Sequence, residues 1–129
     1  MEISKNIKLG NGLEANYIFI YSINVEVNKN ISIELHYFKD KSLYSKAIEK
    51  DSLRKEQDTL ISKLTELQSK EVFDENEANN IHNKINELAS KIDELREYSE
   101  YLILTRTIEI PYREDYTKEY ILEEINIRI

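Results

Sequence analysis

The chain contains no cysteine, one proline and two glycines among its 129 residues. The missing cysteines remove disulfides, thiolate metal sites and cysteine nucleophiles from consideration. The scarcity of glycine removes phosphate cradles and nucleophile elbows, which need several glycines at fixed spacing. Positive charge is also short: eighteen Lys and Arg face twenty-five Asp and Glu, a formal net charge of −7. Between residues 44 and 100 the imbalance is nine against fourteen. No basic face is left to track a phosphate backbone, so nucleic acid is not an expected partner. Long apolar runs are absent too. The longest, Tyr17 to Tyr21, is far short of the roughly 20 residues of a membrane span. Charged residues stand where a signal peptide needs its apolar stretch. The expectation is a soluble chain with no membrane partner.

What is present separates by period. In residues 1–38, Ile31, Ile33, Leu35 and Tyr37 alternate with Ser32, Glu34 and His36, the pattern of a strand with one buried face. Tyr17, Phe19, Tyr21, Ile23, Val25 and Val27 alternate in the same way. The turns fall at Gly10-Asn11-Gly12 and Asn28-Lys29-Asn30, residues that tolerate positive φ. A meander with strands at about 2–10, 16–27 and 31–38 follows.

Residues 43–100 change to a seven-residue repeat. One seam runs through Leu53, Gln57, Leu60, Leu64 and Leu67, and another through Ile81, Ile85, Leu88, Ile92 and Leu95. Pairing Leu53 with Leu95, Leu60 with Leu88 and Leu67 with Ile81 gives position numbers with one constant sum. Leu64 with Ile85, and Gln57 with Ile92, differ from it by a single residue. Both seams therefore fold about a point near Asp74, and an antiparallel coiled-coil hairpin is predicted, with helices over 53–70 and 75–98. Asp74 with Glu77 suits an N-cap and its third helical residue. Val72 and Phe73 are expected to be exposed unless they fold over the tip.

In residues 101–112, Leu102, Leu104, Ile108 and Ile110 share one face of a closing strand. Asp115 or Thr117 can then cap a short helix through about Glu124. The ending "INIRI" alternates, and helix and strand both remain open for it. The fold class is α+β in a single domain over 1–129: a meander over 1–38, a coiled-coil hairpin inserted over 43–100, and a closing strand and short helix over 101–129.

Candidate sites are few. Asp74, Asn76 and Asn80 have the start of an EF-hand loop, but Ala78, Asn79 and Ile85 occupy the positions that need a ligand, a glycine and a glutamate. The acidic knot is therefore a bend. Glu34 and His36 share a polar strand face with no third ligand, which reads as a solvated face. His82 follows a seam residue and points to solvent. No catalytic residue, metal site or cofactor is expected, and an enzyme ranks last.

The stretch "YIFIY" is apolar on both faces, with Ile18 and Ile20 opposite Tyr17, Phe19 and Tyr21. A short C-terminal helix covers one patch only, so self-association is expected through the sheet. Tyr98, Tyr101, Tyr112, Tyr116 and Tyr120 are assigned to the same interface as anchors. The tyrosines suit a small core, a subunit contact, a partner's pocket or a sugar.

The opening "EISKNIKLGNGLEANYIFIYSINVEVNKNISIELHYF" resembles small accessory proteins encoded in the tail modules of bacteriophages and prophages of Gram-positive bacteria. The shared features are a lysine-rich first strand, an NG turn, a strand ending at an Asn/Lys turn, and an alternating strand that ends in an aromatic. The later "TRTIEIPYREDYTKEYILEEI" is similar to their closing strand, acidic turn and short helix. The further "F..A" segment of that family is lacking. The resemblance covers about half the chain and implies a structural protein of the virion or tail, with no catalytic residues. It also implies partners among other tail or baseplate proteins and three-fold neighbours, hence a trimer. The other reading is a regulatory module whose acidic hairpin binds a host or phage protein.

Overall fold

A computed structural model describes residues 1–72 and 74–129 and is α+β. It resolves into two compact units where the sequence predicts a single domain. One unit is Met1–Tyr44 with Leu102–Ile129, and the other is Ser45–Tyr101. The hairpin is thus an insertion, within two residues of its predicted limits. Among the described residues, no helix is long and apolar enough to cross a membrane.

The first unit is built on an antiparallel meander in the order β1 (Glu2–Ile3), β4 (Tyr17–Glu26), β5 (Asn30–Phe38) and β6 (Leu102–Pro111). A separate two-stranded ladder joins β2 (Ile7–Lys8) to β3 (Glu14–Ala15) across a 3₁₀ turn at Gly10–Gly12. Gly12, at φ 76°, supplies the left-handed residue of that turn. The predicted strand over 2–10 is therefore two strands. Between them Asn6 turns its amide to Asn16 Oδ1 at 2.7 Å and Glu14 Oε2 at 3.3 Å. The turn between β4 and β5 carries Asn28 at φ 64°, as its residue type suggests.

On β5 the alternation holds along its whole length: Ile31, Ile33, Leu35 and Tyr37 are buried on one face. On β4 it does not. A bulge at Tyr21 shifts the register between Ile20 and Ser22. Ile18 and Ile20 therefore pair with Tyr37 and Leu35, and Ile23 and Val25 with Ile33 and Ile31. One inserted residue moves Ile23 and Val25 to the face opposite Tyr17 and Phe19. A second shift, at Ile103, takes Leu102 off the row of Leu104, Ile108 and Ile110 and sets it opposite Phe38. Both strands were expected to keep one phase throughout.

Helix α4 (Lys118–Arg128) covers the aliphatic face with Tyr120, Ile121 and Ile125. Thr117, one of the two expected caps, accepts from Tyr120 N at 3.1 Å. The Tyr120 hydroxyl donates to the Pro111 carbonyl at 2.6 Å, and Arg113 lies 4.7 Å above its ring. "INIRI" is thus helical through Arg128, beyond the expected end at Glu124. Packing decides this. A strand would have put Ile125, Ile127 and Ile129 on one face, whereas the helix buries Ile125 and leaves Ile127 75% exposed.

The opposite face has its own cover within the unit. Helix α1 (Lys41–Gln68) begins twelve residues ahead of the helix predicted over 53–70 and ends two residues short of it; Asp40 Oδ1 caps its start by accepting from Leu43 N at 2.9 Å. Its first turn sets the Tyr44 ring 4.9 Å from Tyr17, 4.7 Å from Phe19 and 5.3 Å from Phe38. Tyr17 donates its hydroxyl to the Glu2 carboxylate, which Lys41 also approaches. That hydrogen bond, and secondarily Lys41, hold the Glu2 carboxyl below its ordinary range. Burial, with the Glu2 charge as a smaller cause, pushes the Tyr44 phenol up.

The second unit pairs α1 with α2 (Glu75–Glu94) and ends in a single helical turn, α3 (Tyr98–Tyr101). α1 is 28 residues long, about 42 Å at the α-helical rise. α2 stops at Glu94, ahead of the predicted 98.

Candidate functional site

Asp74 starts α2 as its composition suggests. Its Oδ1 accepts from Asn76 N at 2.9 Å and Glu77 N at 3.3 Å, satisfying amides the first turn leaves free. Glu75 and Glu77 then lie at the positive end of the helix. Asn76 and Asn80, the other members of the calcium reading, are exposed on α2. Val72 is 88% exposed at the tip, and Phe73 lies outside the described residues.

Above the cap, Leu60, Leu64, Leu67, Ala78, Ile81 and Ile85 form one apolar cluster. Further along, Leu88 and Ile92 are buried, and Leu53 and Leu95 are half-covered. Every residue assigned to the seam is thus at least partly buried. Ala78, which was not assigned to the seam, is a seam member that continues the spacing of Ile81 and Ile85 by one step. Several seam residues remain half-open, namely Leu53, Gln57, Leu60, Leu67, Ile85 and Leu95. Ile61 beside them is 44% exposed.

The hairpin also carries a polar lock that periodicity does not reveal. Lys50 is a single helical step before Leu53 in the seam and is only 8% exposed. Its Nζ donates to the Leu95 carbonyl at 3.0 Å and pairs with Glu97 Oε1 at 2.9 Å. Arg54 meets the same carboxylate with two nitrogens, at 2.9 and 3.3 Å. Hydrogen bonds from Arg54 first, and then from Lys50, pull the Glu97 carboxyl down to about 2. Gln57, one turn further on, donates to the Ile85 carbonyl at 3.3 Å. A continued 3-4 spacing at Lys50 was the one available signal; nothing local to residues 95–97 points to their role.

The ten residues assigned to a sheet interface are not one surface. Tyr17, Ile18, Ile20 and Tyr120 are buried within the sheet unit, and Phe19 packs on Tyr44. This corrects the expectation that the two-sided strand needs a second chain. α4 occupies one side and Tyr44 contributes cover on the other. Tyr21 is 58% exposed but lies flat on His36, with ring centroids 4.3 Å apart and planes 11° apart. Tyr112 and Tyr116 pair with each other at 6.2 Å. Tyr101 belongs to the hairpin unit, where its hydroxyl accepts from Arg96 N at 3.2 Å. Tyr98 stands in the same unit, half-buried at the start of α3.

His36, expected on a solvated face, is buried. Beneath Tyr21, its Nε2 lies 2.7 Å from Glu34 Oε2. A carboxylate only accepts, so this nitrogen carries the hydrogen. Among the described residues, no three His, Asp or Glu side chains converge as a metal-binding group.

Comparison with family models, with curated proteins and with solved structures returned no match.

Proposed function

We propose that the chain is a non-enzymatic structural protein of a bacteriophage or prophage tail, which associates with itself and with larger tail or baseplate proteins. Its place would be the virion, or the bacterial cytoplasm when expressed from a prophage. One observation supports an assembly role most directly. The sheet unit buries the aliphatic row of β5 and the strand Tyr17–Ile20 largely by itself, while the hairpin seam stays half-open along Leu53, Leu60, Leu67, Ile85 and Leu95. A two-helix seam leaves its flanks wet, and further helices packed alongside would cover them. Association is therefore assigned to the hairpin rather than to the sheet. Three copies is the number that the tail resemblance implies; closed symmetry of some order is the general expectation for a soluble homo-oligomer.

Light scattering on the native chain and on Ile61→Glu tests this. Ile61 flanks the seam without sitting in it, so a charge there leaves the hairpin core in place. A native oligomer whose mass falls in Ile61→Glu is expected. A native monomer at tens of micromolar would contradict self-association, and an equally associated variant would move the interface off this face.

A second reading is a regulatory module that binds a basic partner protein. It is favoured by the tip, where exposed Val72 is flanked by Glu71, Asp74, Glu75 and Glu77. Its extreme form is an acidic decoy of nucleic acid. Neighbouring repressor genes, rather than tail-fibre and holin genes, would favour this reading.

A further inference from the structure

The strand order makes β6 an outer strand of ten residues. Such an edge presents a row of backbone donors and acceptors to any extended chain. On β6, Leu104, Arg106, Ile108 and Ile110 form one row and face Tyr37, Leu35, Ile33 and Ile31 of β5. All four β5 partners are buried. Three members of the β6 row are aliphatic, and Arg106 interrupts it. Although opposite Leu35, which exposes no surface, Arg106 is itself exposed. The bulge at Ile103 and Pro111 at the other end shorten the regular edge further.

We propose that Arg106 guards this edge against strand addition, most directly by a second copy of the chain. Ile108 and Ile110 are already covered, so an incoming strand would lay its side chains beside Leu104 and Arg106 and strip water from the guanidinium. The row offers no carboxylate in return, since Glu109 belongs to the other face. Self-pairing about a two-fold axis is worse. With the axis at Arg106 the two cations are directly opposed; with it at Thr107 each Arg106 faces an Ile108 and stays near its copy. Value at this position would come from charge, not from a particular partner. A valine there would join Leu104 to Ile108 in one unbroken aliphatic row, which is the hallmark of an edge prone to pairing. This inference is independent of association through the hairpin and would stand if that failed.

The test uses full-length Arg106→Val and Arg106→Glu. Each is read by scattering mass and by hydrogen exchange of the β6 amides at low and high protein concentration. For the native chain and for Arg106→Glu, exchange in β6 should not depend on concentration. For Arg106→Val, β6 amides should become protected as concentration rises, with at least a doubling of mass relative to the native chain. An Arg106→Val chain that keeps native circular dichroism but gains neither mass nor β6 protection overturns the proposal. So does Arg106→Glu associating as Arg106→Val does, or a native chain whose β6 amides are already protected by concentration.

Discussion

Ile18, Ile31, Ile33 and Leu35 of the sheet unit expose no surface, whereas Ile81, among the best-covered seam residues of the hairpin, still exposes 5%. The difference follows from geometry. α4 lies across one face of the sheet, so each residue of that row is enclosed by neighbouring strands and by a helix. A two-helix seam encloses each residue only from the facing helix and its own, and its flanks stay wet. Burial energy scales with apolar area removed from water, so equal substitutions should cost more in the sheet than in the hairpin. The hairpin compensates with polar specificity: Asp74 at the tip, and Lys50 with Arg54 and Glu97 at the other end.

The largest effect should come from Ile18→Asp with Ile20→Asp. Both positions lie under the sheet core, and carboxylates there find no solvent. We expect a loss of more than about 4 kcal/mol, at the far end of what single sites produce, read as loss of the folded baseline in urea. A folded double mutant would show that the face is open after all. Next, Leu64→Ala or Leu88→Ala should cost about 2–3 kcal/mol, the lower part of the range for leucine truncation, because the seam is partly wet. If denaturant titration shows Leu64→Ala costing as much as Ile33→Ala, the contrast between the units is wrong.

Smaller is the cap. Asp74→Ala should cost about 0.5–2 kcal/mol, with faster hydrogen exchange confined to the first turn of α2. The smallest and most local effect is acid sensitivity at Glu97. Its folded pKa, about 2, lies below the ordinary 4.5, so the ionised form is favoured by folding. The stabilisation is complete above about pH 4.5 and is lost as pH falls toward 2. Comparing native chain and Glu97→Gln across that window should show the native chain losing its advantage on acidification. Parallel pH profiles would remove the lock's role.

The same contrast explains what could be read from the residues beforehand. The hairpin was legible because its repeat is redundant: Leu60, Leu64 and Leu67 each point to a partner about one shared centre, and Asp74 marks that centre chemically. In the sheet, β5 was equally plain, since nothing interrupts Ile31 to Tyr37. β4 and β6 were misread at Tyr21 and Ile103, because a bulge changes phase without changing composition. Tyr44 was missed as sheet cover because it falls before Leu53, the first seam residue, and Asp40, which caps its helix, was not recognised. Those two omissions made the strand Tyr17–Tyr21 look like an interface. Lys50 escaped because its partners, the Leu95 carbonyl and Glu97, lie 45 or more residues away in sequence. The tyrosines that seemed a cluster belong to two units and to several unrelated contacts.

The division of labour between a self-sufficient sheet and an associating hairpin can be measured in one experiment. Hydrogen exchange would be followed for every amide of the native chain from low to high micromolar concentration. Protection that grows with concentration along α1 and α2, around Leu53 to Leu67 and Ile81 to Leu95, is the expected result, with β4 and β6 unchanged. Growth of protection in the sheet with none in the hairpin, or no concentration dependence anywhere, would contradict it.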